Sequence, residues 1–389
     1  MEKNSKFKVL ILASVASMIE QFNMNNIKIL MELGYEVEVV ANFIDAGTIS
    51  IEKAEKLEKK LFEIGVRVYH VPIPRKISRL KKIIDSYTIV KKLCIKNKYK
   101  IIHCHSPIGG VIARLAAIDS RKNGTKLIYT AHGFHFYKGA PAKNWILYYP
   151  IEWFCSWITD ILIVINHEDF IRAKNHMHAK RVEYIPGVGI DMDRFNLNLA
   201  DVEKKRKLLG VKTDEFLFLS IGELNKNKNH EFVIKVIARL KNSKVKYFIA
   251  GEGDLKEDLI ELVEKLDLES QIKLLGYRDD VEELYQVADL FVFPSKREGL
   301  PVALMEAIAS RVPVVCSKIR GNSDLANKYM FDVSNEDSLV EILGELIKSR
   351  EILHKTMAYS VDWNYEHLRE FSLQNVSKHM RSIYLLNEI

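Results

Sequence analysis

Short apolar runs alternate with stretches of helical period along the whole chain. Strands are expected over residues 8–13, 36–41, 101–104, 126–130 and 161–165, with a helix running to Leu33 after the first. The rhythm restarts after Asn196, with strands over 216–221, 246–250, 272–275, 290–293 and 312–316. Near-continuous apolar strands separated by helices predict parallel sheets covered on both faces, so the chain reads as α/β with two doubly wound domains. The turn-rich segment Ile185-Pro186-Gly187-Val188-Gly189-Ile190 and the polar residues 196–207 mark the handover between them. The domains are therefore expected at 1–195 and 196–365, with a terminal helix over about 366–389 packing back on the first.

A length of 389 residues suits two domains, and 48% hydrophobic with 28% charged residues places the chain in the globular class. The apolar run 9–15 is broken by small residues and followed by Ser17 and Glu20, which reads as a buried strand, not a signal peptide. Residues 145–165 are rich in Trp, Tyr and Ile, but Pro150, Glu152 and Asp160 argue against a membrane-crossing helix. Cys94, Cys104, Cys155 and Cys316 form neither a CxxC pair nor a disulfide framework, which points to a reducing cytoplasm.

Charge changes the picture for one half of the chain. The net charge of +7 comes from 30 Lys and Arg against 19 Asp and Glu up to residue 195, with 28 against 32 beyond it. Arg75-Lys76 and the basic residues within 79–82 and 91–100 suit peripheral contact with the anionic inner face of a membrane, and equally suit solvated helix faces. No nucleic-acid-binding motif accompanies them, so nucleic acid is not an expected partner.

Candidate chemistry clusters at strand ends. After the strand over 290–293 comes Ser295-Lys296-Arg297-Glu298-Gly299-Leu300-Pro301-Val302-Ala303-Leu304-Met305-Glu306. A carboxylate accepts paired hydrogen bonds from neighbouring hydroxyls, so Glu298 in the loop and Glu306 on the helix suit a ligand with a sugar at each end of a diphosphate. The side-chain-free Gly299 would let backbone amides approach the phosphates, although an ordinary N-terminal helix glutamate and a solvent-facing one explain the same letters. The segment Ser220-Ile221-Gly222-Glu223-Leu224-Asn225-Lys226-Asn227-Lys228 follows the first strand of the second domain, where lysine ammonium groups could neutralise a diphosphate. In the first domain, Tyr129-Thr130-Ala131-His132-Gly133-Phe134-His135 and His103-Cys104-His105-Ser106-Pro107 each close a strand. Alternation points His103 and His105 to the face opposite Cys104, which argues against a metal site, and Asp191-Met192-Asp193 lies in the linker, so no metal or cofactor is expected.

The stretch from Glu298 to Glu306 resembles the E-x7-E motif of the family four glycosyltransferases, which have the GT-B fold. The likeness extends over nearly the whole chain, including Ile185 to Asp191, Leu275-Gly276-Tyr277-Arg278-Asp279-Asp280-Val281 and Tyr285-Gln286-Val287-Ala288-Asp289, and is to bacterial enzymes that build capsular or exopolysaccharide repeat units. It implies two Rossmann-like domains facing a central cleft. It also implies retaining, metal-independent transfer of a hexosyl or N-acetylhexosaminyl group from a UDP-sugar to a polyprenyl-diphosphate-linked glycan. By the same likeness Glu298 would touch donor-sugar hydroxyls, Lys228 the diphosphate, Glu306 the ribose, and His132 the sugar from the first domain. Gly222, Lys226, Gly299, Leu300 and Pro301 would line the donor, and Tyr277 or Arg278 would pack on the base. Ser14, in a first loop that lacks the family's usual glycines, would stand on the acceptor side with His105 and His135. Glu223 stands where the commoner pattern has an arginine, with Lys226 as the residue that could compensate. A sugar-nucleotide epimerase of the same fold, or a non-catalytic sugar-nucleotide-binding homologue, shares most of these features.

Overall fold

Thirteen strands are arranged in two parallel sheets in the structure, a computed structural model that describes residues 7–195 and 202–385. The first sheet holds β1 (Lys8–Val15), β2 (Glu36–Asn42), β3 (Arg67–His70), β4 (Ile101–His105), β5 (Lys126–Ala131), β6 (Ile161–Val164) and β7 (Arg181–Tyr184). The second holds β8 (Phe216–Ile221), β9 (Val245–Ala250), β10 (Ile272–Gly276), β11 (Leu290–Phe293), β12 (Val314–Ser317) and β13 (Met330–Phe331). Their spatial orders are β3-β2-β1-β4-β5-β6-β7 and β10-β9-β8-β11-β12-β13. Strand order therefore reverses between β1 and β4 in one sheet and between β8 and β11 in the other, and ligands of such sheets bind outside the carboxyl ends at those points.

The central strands are apolar on both faces, and each sheet is packed from both sides. In the first, Val9, Ile11, Val39 and Ile128 face one core, and Leu10, Val40, Ile102 and Leu127 face the other. In the second, Leu219, Phe248 and Phe291 face one side, and Phe218, Tyr247 and Val292 the other. Three strands without an expected counterpart, β3, β7 and β13, are edge strands. Their residues are mostly exposed or half-buried, so no continuous apolar run announces them. The single helix expected up to Leu33 is two, Ala16–Phe22 and Met24–Glu32, interrupted at the fully buried Asn23, whose side-chain amide donates to Met18 O at 2.9 Å.

The chain divides into Met1–Gly189 with Gln374–Ile389, and Ile190–Leu373. The handover thus falls at Gly189/Ile190, ahead of the expected position near 195. Ile190 already belongs to the second unit, where it bridges to Ser372 and donates its N–H to Phe371 O at 2.9 Å. Residues 196–201, the start of the expected polar linker, lie outside the described residues, as do residues 386–389 at the end of the expected terminal helix. The helix Arg350–Leu368 stays with the second unit, and only the helix Leu373–Leu385 returns to the first. There it seats Val376, Met380, Ile383 and Tyr384 against the β1 core, which is why a polar-looking terminal segment is helical and fixed.

Candidate active site

In the second unit the loop leaving β8 is built by its own side chains. Asn225 Oδ1 accepts hydrogen bonds from the backbone N–H of Asn227 and of Lys228, both at 2.9 Å, closing a tight turn that returns the chain towards β11. Asn227 O accepts from Lys296 N at 2.8 Å, and the Asn227 amide donates to Arg297 O at 2.9 Å, so the loops after β8 and β11 are tied together. This places Lys228 Nζ 2.8 Å from Glu298 Oε1, at the point where strand order reverses. The lysine stem lies on Gly222, where a Cβ would come within 3.3 Å of it, so glycine there makes room for the cation. Lys228 Nζ also sits 4.9 Å from the centre of the Phe293 ring.

The helix Val302–Ala309 carries Glu306 with Pro301 at its N-cap, and the loop before it is held by a close approach of Gly321 to Gly299. A Cβ on Gly321, whose φ is +79°, would lie 2.5 Å from Gly299 O. Gly299 and Leu300 are half-buried and Pro301 is buried. Glu306 Oε2 accepts from the Tyr285 hydroxyl at 3.0 Å, the same hydroxyl that reaches Ala303 O. Burial pushes the Glu306 carboxyl up to about 6, and the Tyr285 bond and nearby Arg194 work against that rise.

Other donor-side candidates are placed less centrally. Lys226 is exposed and lines a separate cavity of about 330 Å³ with Asn229, His230 and Lys296, while Glu223 points to solvent. Tyr277 is 67% exposed. The Arg278 guanidinium grips Asp280 with bonds of 2.7 and 2.6 Å, holding that carboxyl down at about 2.

In the first unit the ends of β1 and β4 meet at the reversal point. Ser106 Oγ accepts from Ser14 N at 3.0 Å and lies 2.7 Å from Ser14 Oγ, which accepts from Gly109 N at 3.0 Å. Ser106 has φ +64°, a conformation a non-glycine residue rarely adopts and one held here by these bonds. Beside it opens a cavity of about 710 Å³ lined by Ser14, Ser106, Arg75, Lys76, His135 and Tyr148, with the His135 ring stacked on Tyr148 at 4.5 Å.

His105 does not line that cavity. It is 1% exposed, and its Nδ1 lies 3.1 Å from His132 Nε2, so it supports His132 from beneath instead of facing an acceptor. His103 and His105 share one face of β4 with ring centres 4.2 Å apart, while Cys104 packs in the opposite core with its Sγ 3.4 Å from Ile128 O. Among the described residues no group of three His, Cys, Asp or Glu side chains is disposed to hold a metal ion. Sequence reasoning did not single out Asn225 and Tyr285. The first hides in a lysine-asparagine run, and the second occupies an apolar position of its helix and so reads as core.

Two Rossmann-like domains, with a lysine–carboxylate pair and a further half-buried carboxylate at one sheet's switch point, are the arrangement of the GT-B class of glycosyltransferases. Residues 201–362 match the family described as "Glycosyl transferases group 1" and residues 8–166 match "Glycosyl transferase 4-like". EpsD of Bacillus subtilis (strain 168), a provisionally named glycosyltransferase, is 35% identical over 360 residues, covering 90% of this chain and 89% of its own length. The UDP-Gal:alpha-D-GlcNAc-diphosphoundecaprenol alpha-1,3-galactosyltransferase of Escherichia coli is 28% identical over 324 residues, 76% of this chain and 82% of that one. Among solved structures, HepE of Anabaena in complex with UDP and glucose superposes with a TM-score of 0.76 at 18% identity, covering 98% of this chain and 100% of that one. The chain belongs to the family four glycosyltransferases of the bacterial exopolysaccharide type.

Proposed function

We propose that the protein is a retaining, metal-independent glycosyltransferase. In this reading it moves a hexosyl or N-acetylhexosaminyl group from a UDP-sugar to a polyprenyl-diphosphate-linked glycan at the cytoplasmic face of the membrane, in capsular or exopolysaccharide synthesis. The observation that carries the reading is the 2.8 Å Lys228–Glu298 pair at the second sheet's switch point, with Glu306 on the helix that follows. An ammonium group has three N–H donors, and Glu298 takes one, leaving two for diphosphate oxygens. Fixed positive charge at the leaving group lowers the barrier as negative charge grows there, and the departing phosphate oxygen takes the acceptor hydroxyl's proton. Glu298 and His132 hold sugar hydroxyls, and Glu306 holds the ribose.

The UDP nucleotide is supported by the UDP named in the HepE complex, and the lipid-linked acceptor by the diphosphoundecaprenol substrate named for the Escherichia coli relative. The first-unit cavity suits such an acceptor, since Arg75 and Lys76 line it with positive charge for an anionic diphosphate and Tyr148 offers a hydroxyl to a sugar. Exposed Leu80 and Ile84 on the helix Leu80–Asn97, beside Lys81 and Lys82, together with exposed Ile146, Leu147 and Phe154 on the helix Ala142–Ser156, suit contact with an anionic bilayer.

The test is incubation of UDP-, GDP- and ADP-sugars with a polyprenyl-diphosphate-GlcNAc acceptor in the presence of EDTA. The expected outcome is transfer from one UDP-sugar with the anomeric configuration retained by NMR, and its loss in Glu306→Ala. An epimerised nucleotide with no acceptor product would identify an epimerase instead, and no binding of any sugar nucleotide would identify a non-catalytic homologue.

A further inference from the structure

The first unit sets three histidines one behind another, His103 and His105 buried and His132 half-buried, more than the transfer reaction itself calls for. His103 is held at both ring nitrogens, with Nδ1 2.7 Å from the Tyr384 hydroxyl and Nε2 2.8 Å from Thr130 Oγ1. Its ring lies 4.2 Å from that of His105, which blocks reorientation of the second ring. His105 Nδ1 lies 3.1 Å from His132 Nε2, and His105 Nε2 is buried without a partner among the described residues. His132 itself packs against Phe22 with ring centres 4.9 Å apart, and its Nδ1 makes no hydrogen bond among the described residues.

These contacts leave a choice of one proton. Burial holds His132 down at about 4 and His105 well below the usual histidine range, so both rings are neutral near neutral pH, and a neutral imidazole carries a single N–H. If His132 Nε2 donated, His105 would carry its own proton on Nε2, leaving a buried N–H with no acceptor among the described residues. If His105 Nδ1 donates, the orphaned atom is a bare nitrogen lone pair. Buried donors without acceptors are the rarer and costlier case, so the second arrangement wins.

We propose that His105 is the positioning residue of His132: by donating its Nδ1–H to His132 Nε2 it fixes His132 as the Nδ1–H tautomer, which presents one hydrogen-bond donor to an oxygen of the transferred sugar. The role of His132 at the sugar rests on the function proposed above, whereas the tautomer is a property of the ligand-free protein. His132 thereby reads an acceptor oxygen and remains uncharged. The returning helix Leu373–Leu385 takes part through Tyr384, which braces His103 behind the pair.

The primary test is long-range proton–nitrogen correlation NMR on ¹⁵N-histidine-labelled protein at neutral pH, with the His132 signals assigned by their loss in His132→Gln. A protonated Nδ1 and bare Nε2 on His132 are expected, and the opposite pattern would overturn the proposal without reference to any substrate. Kinetics supply a second readout. The Asn side chain places an amide N–H where His Nδ1 stands, so His105→Asn is expected to retain activity within a few-fold of the native protein. His105→Leu should lower kcat about tenfold with little change in donor KM, the loss of one positioning hydrogen bond. His105→Gln keeps polarity but sets its amide at the Nε2 position, so it should behave as the Leu variant even where that variant is too unstable to assay. Native kcat in His105→Gln would overturn the proposal, and absence of sugar transfer by the native protein would sink the proposed function while leaving the tautomer result standing.

Discussion

Single side chains in the second unit are set against stability. The Glu306 carboxyl binds its proton more tightly in the folded chain than in the unfolded one, at about 6 against the usual 4.5. Its contribution to stability is therefore full below pH 4.5 and lost as pH rises through 6. Glu306→Gln should accordingly be more stable than the native protein above pH 6, by about 2 kcal/mol in chemical denaturation, while losing affinity for the nucleotide. A gain in stability with nucleotide binding lost marks a residue kept for its ligand, and a loss of both would mark a structural one. Lys228→Ala should reduce kcat on the order of a hundredfold or more in steady-state assays, since in the proposed mechanism it removes the fixed charge at the leaving diphosphate. It also leaves Glu298 without its 2.8 Å partner, so Lys228→Arg is the informative companion: retained charge with altered geometry should recover part of the rate.

Elements matter most where one from far along the chain completes another. The helix Leu373–Leu385 covers the β1 face of the first sheet, and its Tyr384 hydroxyl reaches His103 at 2.7 Å inside that core. Tyr384→Phe removes that bond with little change in volume and should cost about 1–2 kcal/mol in urea denaturation, with the second unit's transition unmoved. Deleting the chain from Leu373 onward would expose the β1 core, and the first unit should then bind hydrophobic dyes. The loops after β8 and β11 show the same dependence at shorter range. Asn225 gives the turn its shape, and Asn225→Ala should weaken nucleotide binding although the residue offers its side-chain oxygen to backbone and not to ligand.

Across the whole molecule, the buried histidines tie the stability of the first unit to acidity. An unfolded chain charges its histidines below about 6.5, whereas burial delays protonation of His132 to about 4 and of His103 to about 3. The unfolded state therefore binds more protons across that window, and stability falls as pH drops from 6.5 towards 4. The first unit should melt at a distinctly lower temperature at pH 5 than at pH 7, with His103→Gln flattening the dependence. The proposed membrane contact is tested at the same scale, through charge. The net +7 is concentrated up to residue 195, so binding to phosphatidylglycerol vesicles should be strong at low salt, weaken at high salt, and weaken further in a Leu80→Ser, Ile84→Ser variant.

By itself the sequence determined the two parallel-sheet domains, because buried central strands must be continuously apolar and their crossovers must be helical. It also placed Glu298, Gly299 and Glu306 together, because they are close in sequence and share one turn and one helix. The edge strands β3, β7 and β13 were not legible, since exposure on one side removes the apolar run that marks a strand. Nor was the placement of His105, which the family likeness put on the acceptor side. Register across β4 and β5 decides that it lies beneath His132, a relation between residues 27 apart in sequence. The Lys228–Glu298 pair and the Tyr384–His103 bond likewise join residues 70 and 281 positions apart, and no local pattern encodes such contacts. Local order follows from the spacing of apolar side chains, but which polar groups meet depends on how strands line up and where a distant helix returns.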